Sequence, residues 1–116
     1  MNRRVTGARY EEKAARALYA QGYRILERNF RCRFGEIDII ARHKGVLVFI
    51  EVKYRRDSRS GFPEESVNRR KQAAIRKTAE VYMHRRGYDW WGQCRFDVVC
   101  VMGEEVRIIE DAFWVE

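Results

Sequence analysis

Proline occurs once in this sequence and glycine only eight times. So few breakers exclude a low-complexity or fibrous chain. The three cysteines, Cys32, Cys94 and Cys100, are odd in number, widely spaced and without a CxxC pair. That excludes a zinc ribbon or a disulfide framework and leaves reduced, buried thiols. No apolar run approaches the roughly 18–20 residues that a membrane span needs. The basic start, Met1 to Gly7, is not followed by the apolar segment of a secretory signal. The expectation is a cytoplasmic protein that does not cross a membrane. The two histidines, His43 in a turn and His84 near a helix end, have no metal-ligand companion at useful spacing. Neither is assigned a role.

What is present is enough for one domain. The 116 residues leave no room for two, and 46% are hydrophobic with 13% aromatic, so a real core forms despite 35% charged residues. The formal net charge is +7, and its placement matters more than its sum. Residues 1–86 carry +12 and residues 87–116 carry −5. One basic side on a single domain points to a polyanion partner.

The hydrophobic pattern reads as α-β-β-β-α-β-β. Ala14, Ala15 and Leu18 recur at helical spacing between Gly7 and Gln21, with Thr6 as a plausible N-cap and Gly22 as the stop. Tyr23 to Phe30 reads as a short strand with an untidy end. Phe34 to Ala41 follows, alternating β-branched residues with Glu36 and Asp38. Arg42 to Gly45 is a turn. Val46 to Lys53 is almost continuously apolar, as in a strand buried on both faces at the middle of a sheet. Arg55 to Pro63 reads as a mobile loop. A long helix follows, from Glu64 or Ser66 to Arg86, with Val67, Ala74, Ile75, Thr78 and Tyr82 as its apolar stripe. Glu64 and Glu65 at its start and Arg85 and Arg86 at its end suit the helix dipole. Arg95–Met102 and Val106–Ile109 are strands around a Gly103–Glu105 turn. No repeat or linker divides this chain, and the fold class is α/β, a mixed sheet flanked by helices.

Two acids and a lysine stand where chemistry would need them. Glu51 and Lys53 are two apart on one strand and so share a face. If Lys44-Gly45 is a two-residue turn, Asp38 faces Glu51 directly, with Cβ atoms roughly 5 Å apart. A four-residue turn places Glu36 there instead. Either register gathers carboxylates on one face, a hard oxygen site for Mg²⁺ or Mn²⁺ that the Val52 carbonyl would help complete. The lysine would orient a water or stabilise charge on phosphorus. The competing reading is an ordinary cross-strand ion pair.

Gly35-Glu36-Ile37-Asp38, a gap of twelve residues and Glu51-Val52-Lys53 together resemble the D…(D/E)xK signature of the restriction-endonuclease-like superfamily. Within it the chain resembles the YraN-like family of small bacterial predicted endonucleases, which look distantly similar to archaeal Holliday-junction resolvases. The likeness spans nearly the whole chain, including Gly7 and Glu11, Arg28-Asn29-Phe30-Arg31, Lys71 and Arg95-Phe96-Asp97-Val98. It implies a restriction-endonuclease-like fold and a metal-dependent endonuclease acting on DNA, including branched or structured DNA. Asp38 and Glu51 would be metal ligands, Lys53 the catalytic lysine and Glu11 a helix carboxylate brought to the site. Glu11 shares a helical face with Ala14, Ala15 and Leu18, although an acid in a first turn is also simply good for a helix. Resolvase-like relatives work as dimers, so a homodimer is implied. The Gln-x-x-x-Tyr motif of some superfamily members is absent, because Arg76 follows Gln72 by four.

The basic residues supply a nucleic-acid surface. Tyr54, Arg55, Arg56 and Arg59 follow Lys53, Arg31 and Arg33 precede the Asp38 strand, and Arg69, Arg70 and Lys71 open the long helix. Their phosphate contacts would be sequence-independent and salt-sensitive. Lys71 falls on the apolar stripe and should turn inward toward the cleft. Trp90, Trp91, Phe113 and Trp114 would either stack bases or pack in a core or interface. A non-catalytic nucleic-acid-binding module and a protein-interaction domain with structural ion pairs are the alternatives.

Overall fold

The computed structural model describes residues 3–55, 67–87 and 94–113, with the backbone alone for residues 3–8. Helix α1 (Arg3–Ala20) turns Ala14, Ala15 and Leu18 into the core, as their spacing requires. It starts earlier than Thr6, which is therefore interior to the helix and not its cap. An N-cap preference is local, and nothing in Arg3–Thr6 breaks a helix already propagating. The helix closes at Gly22, whose φ of 87° suits glycine. The Gly22 amide donates to Tyr19 O and the Tyr23 amide to Leu18 O, both at 3.0 Å, a Schellman closure.

Five strands follow: β1 (Arg24–Cys32), β2 (Gly35–His43), β3 (Val46–Arg55), β4 (Cys94–Met102) and β5 (Glu105–Ile109), with α2 (Arg69–Arg86) between β3 and β4. The sheet order is β1-β2-β3-β4-β5, so the apolar β3 is central. Only β3 and β4 pair in parallel, which requires a crossover such as α2 provides. The element order and mixed sheet are those expected of the sequence. Ala14 and Leu18 of α1 pack with Ile39, Val48, Ile50 and Val99 on one face. Ile75, Ala79 and Tyr82 of α2 pack with Ile37, Ile40, Phe49 and Phe96 on the other.

The β2–β3 connection is the two-residue turn. Lys44 and Gly45 have φ of 53° and 77°, as a type I′ hairpin needs, and pairing runs from His43↔Val46 to Ile39↔Ile50. His43 therefore ends β2 and is not in the turn. It is buried, stacked on Tyr23 with ring centroids 3.8 Å apart. Helix α2 also starts later than its pattern suggested. Asn68 is its N-cap, accepting from the Lys71 amide at 2.9 Å, and Glu64 and Glu65, expected at the helix start, lie outside the described residues. An asparagine side chain that can satisfy a free amide outranks acids placed for the dipole. Gly87, with φ of 69°, ends the helix as expected.

Alternation in the sheet breaks at one level. Ile37 and Ile39 are two apart, yet Ile37 packs under α2 and Ile39 under α1. Arg28 pairs with Ile39 and Phe30 with Ile37, and the residues between them, Asn29 and Asp38, do not pair. Asn29 is in the left-handed region at φ 53°, which asparagine tolerates better than most residues. Both strands thus swap faces together. Asp38 leaves the ladder, and its Oδ2 accepts the Val52 amide at 2.8 Å.

Far from this break, Asp97 is fully buried on β4. Its Oδ1 accepts from Arg95 Nε at 2.8 Å and from the Asp111 amide at 2.9 Å. Its Oδ2 accepts from the Tyr23 hydroxyl at 2.7 Å and Arg95 Nη2 at 2.8 Å. Burial and the neighbouring Asp97 push the Tyr23 phenol up, and the hydrogen bond to Asp97 pushes Arg95 up as well. Arg95 Nη2 also lies 2.8 Å from His43 Nδ1. The network ties the end of α1, the end of β2 and β4 together. Asp97→Ala, which strands Arg95, should lower unfolding free energy by about 3–5 kcal/mol. A urea titration should then show a lower midpoint with an unchanged slope.

Candidate active site

The face-swap at Asn29 and Asp38 builds a small cleft at the start of β2 and the middle of β3, beside α2. It is lined by Glu36, Asp38, Glu51, Phe49, Ile75 and Phe113. Glu51 and Lys53 do share a face, with Lys53 Nζ 3.6 Å from Glu51 Oε1. Lys71 reaches in from the first turn of α2, its Nζ 3.2 Å from the same oxygen. The inward turn expected of Lys71 is where the structure places it. The other oxygen, Glu51 Oε2, is buried and has no hydrogen-bond partner among the described residues. An orphaned buried carboxylate oxygen is costly unless a cation or water completes it.

Asp38 sits among like charges. Burial pushes its carboxyl up, the Val52 amide pulls it back, and Glu51, Glu36 and Glu11 push it further, to about 6. Glu11, half-buried on α1, is the most weakly felt of these three neighbours. Asn29 explains how it is held. With its amide nitrogen turned toward them, Asn29 donates to Glu11 Oε1 at 3.3 Å and Glu36 Oε1 at 3.1 Å. Glu12 is exposed and pairs instead with Arg28 at 3.0 Å.

The donor set suits a hard divalent cation that keeps much of its water. Among the described residues no three His, Cys, Asp or Glu side chains come together as a metal-holding group. Mg²⁺ does not require that, since it is commonly held through one or two carboxylates plus waters. Asp38 and the orphaned Glu51 oxygen fit such an ion, with the Val52 carbonyl as the third protein oxygen considered.

The basic residues separate. Arg31 pairs with Glu36 at 3.1 Å, at the rim of the cleft. Arg33 lies over Phe34 at the tip of the β1–β2 hairpin. Arg55 follows Glu51 and Lys53 on their face by strand period and donates to the Tyr54 carbonyl at 3.1 Å. Tyr54 takes the opposite face and stacks on Tyr10 of α1, with centroids 3.4 Å apart. It packs against the α1-side core and not toward the cleft. Arg69 is exposed at the start of α2. Arg56, Arg59, the remainder of the Arg55–Pro63 loop, Trp90, Trp91 and Trp114 lie outside the described residues. Phe113 packs on Phe96, with centroids 5.2 Å apart. The three cysteines form no disulfide among the described residues; Cys100 is buried, while Cys32 and Cys94 are half-buried.

Two residues of the site were not selected from the sequence. Glu36 entered only as an alternative partner for Glu51, and Asn29 only as part of a resemblance. An asparagine inside a strand, where that residue is depleted, was the available signal.

The molecule is a three-layer α/β protein with an acidic cleft and two lysines at its central strand, an arrangement consistent with nuclease-like folds. The chain belongs to the UPF0102 family, an uncharacterised protein family, whose profile matches residues 10–101. It is 50% identical over 113 residues to a UPF0102 protein of Lachnoclostridium phytofermentans, covering 97% of this chain and 96% of that one. A UPF0102 protein of Cytophaga hutchinsonii is 49% identical over 98 residues, covering 84% and 85%. One from Fusobacterium nucleatum is 41% identical over 114 residues, covering 98% and 95%. These names carry no activity. No helix among the described residues is long and apolar enough to cross a membrane.

The raised Asp38 carboxyl has a testable sign. Its folded value of about 6 exceeds the ordinary 3.8, so ionising it costs stability. The cost is absent below about pH 4 and complete above about pH 6. Without divalent ions, Asp38→Asn should melt higher than the parent at about pH 7.5 and converge with it near about pH 4. Thermal melts across that range check it.

Proposed function

We propose that this chain is a metal-dependent endonuclease that hydrolyses DNA phosphodiesters, with branched or structured DNA as the substrate class. The observation that carries this reading is the buried, unpartnered Glu51 Oε2, beside Asp38 and within reach of two lysines. A purely structural ion pair would leave no carboxylate oxygen orphaned in the core. Asp38 and Glu51 would hold Mg²⁺ or Mn²⁺, which when bound supplies a Lewis acid and a more acidic water.

The remaining work belongs to the chain's own groups. Lys53 is less exposed than Lys71, at 18% against 49%. Its ammonium stays beside Glu51, where it would orient the attacking water or meet charge building on phosphorus. Lys71, more open and at a helix N-terminus, suits the scissile or neighbouring phosphate. Asn29, donating to both, would hold Glu11 and Glu36 near Asp38 and so keep the negative potential that would recruit the cation. Arg55, Arg69 and the rest of the basic field would follow the backbone without reading sequence. A protein that acts on DNA, with three cysteines in no disulfide among the described residues, would work in the cytoplasm. A homodimer would bring two such clefts to one branched substrate.

Glu51→Ala and Lys53→Ala should each reduce Mg²⁺-dependent cleavage by about 10²–10⁴-fold while leaving the circular-dichroism spectrum unchanged. The assay sets labelled duplex, single-stranded, flap and four-way-junction DNA against both variants, with Mg²⁺ or Mn²⁺. Equal cleavage by parent and variants would refute catalysis at this cleft. Binding by the parent with no cleavage of any substrate would favour the non-catalytic nucleic-acid-binding module.

A further inference from the structure

The β1–β2 hairpin presents a feature that hydrolysis does not use. Cys32 pairs with Gly35, so Arg33 and Phe34 form the two-residue tip. Phe34 is one of only two large hydrophobic side chains exposed among the described residues, at 37%. Exposed rings usually stand alone, but this one has two cations beside it. The Arg33 guanidinium lies 4.7 Å from its centroid and Lys77 Nζ of α2 lies 5.6 Å from it. Neither cation has a carboxylate partner among the described residues, unlike Arg31, Lys53 and Lys71, which pair with Glu36 or Glu51. The tip is also held in place. Gly35, at φ 153°, rests on α2 at ordinary contact distance: a Cβ there would sit 3.4 Å from Thr78 Oγ1.

Position relative to the cleft gives the tip its meaning. Along α2, Lys71 meets Glu51, while Lys77 meets Phe34. Six helical residues rise about 9 Å, comparable to roughly three stacked bases at ~3.4 Å each. Two unpaired cations attract a polyanion, and a flat ring with a planar guanidinium against it offers a stacking plane to an unpaired base. A base within a duplex has its faces covered and gains nothing there.

We infer that Phe34, with Arg33 and Lys77, is a base-stacking platform that engages an unpaired nucleotide a few residues from the phosphate held in the cleft. The inference rests on the nucleic-acid reading above and sharpens it, since the platform selects junctions with single-stranded character over continuous duplex.

The test is binding in EDTA, where cleavage plays no part. Fluorescence anisotropy compares a forked DNA, a single strand and a blunt duplex for the parent, Phe34→Ala and Phe34→Tyr. The fork carries 2-aminopurine at its first unpaired position. Phe34→Ala should weaken fork and single-strand binding about tenfold and leave duplex binding within about twofold, since the phosphate contacts persist. It should also abolish the quenching of 2-aminopurine that the parent produces. Phe34→Tyr, which keeps the ring, should behave as the parent. Unchanged fork binding by Phe34→Ala, or an equal loss on duplex, overturns the platform while leaving the cleavage reading to the Glu51 and Lys53 variants. No binding of any DNA by the parent overturns the nucleic-acid reading and the platform with it. Phe34-dependent self-association without DNA, seen by sedimentation, overturns the platform in favour of a protein contact.

Discussion

The hydrogen bond from the Val52 amide to Asp38 Oδ2 is the constraint on which the rest of the site depends. In a regular antiparallel ladder that amide would point at backbone, and Asp38 would face Glu51 as one more cross-strand pair. Here the ladder stops at Ile39↔Ile50, and a side chain satisfies the amide instead. The exchange needs β1 to deform with β2, and Asn29 supplies the left-handed residue that allows it. One carboxylate oxygen is thereby committed to the fold. Asp38 is held rigidly at the cleft by the central strand itself.

Holding it there has an electrostatic consequence. Burial raises Asp38, and the neighbouring Glu51, Glu36 and Glu11 push it further against the pull of the Val52 amide, to about 6. Two lysines share one oxygen of Glu51, but the other oxygen remains unmet. Such a cluster is unfavourable for folding alone and favourable for a divalent cation. The two helices divide the supporting work. Helix α1 contributes Glu11 and packs one face; α2 packs the other and delivers Lys71 and Lys77. The Asp97 network sits away from the cleft, and its acceptors are filled from β4, the end of α1 and the Asp111 amide. It reads as the anchor of a scaffold and not as chemistry.

Much of this was legible in the residue pattern because hydrophobic periodicity reports which face is buried. The element order, the central position of the Val46–Lys53 strand and the shared face of Glu51 and Lys53 all follow from it, while the choice between a two-residue and a four-residue turn at Lys44-Gly45 was left to the structure. The errors have local causes. Thr6 lies inside a helix whose backbone already runs from Arg3, and His43 was read from its neighbours in a turn when it ends a strand. Tyr54 follows the lysine in sequence, but strand period sends it to the α1 face. Glu64 and Glu65 suited a helix start that Asn68 claims with a direct hydrogen bond.

By itself the sequence determined the layers of the fold and the residue types at the cleft, because alternation, helical spacing and short turns are local properties of the chain. Only the tertiary structure decided which oxygens are committed and which are left over. The face-swap at Asn29 and Asp38 involves two strands at once, and no pattern within either strand encodes it. The meeting of Lys71 with Glu51, and of Lys77 with Phe34, joins residues 20 and 43 positions apart through the packing of α2 on the sheet. Long-range packing sets distances of a few ångströms, and a few ångströms separate an ordinary ion pair from a site that can hold a cation.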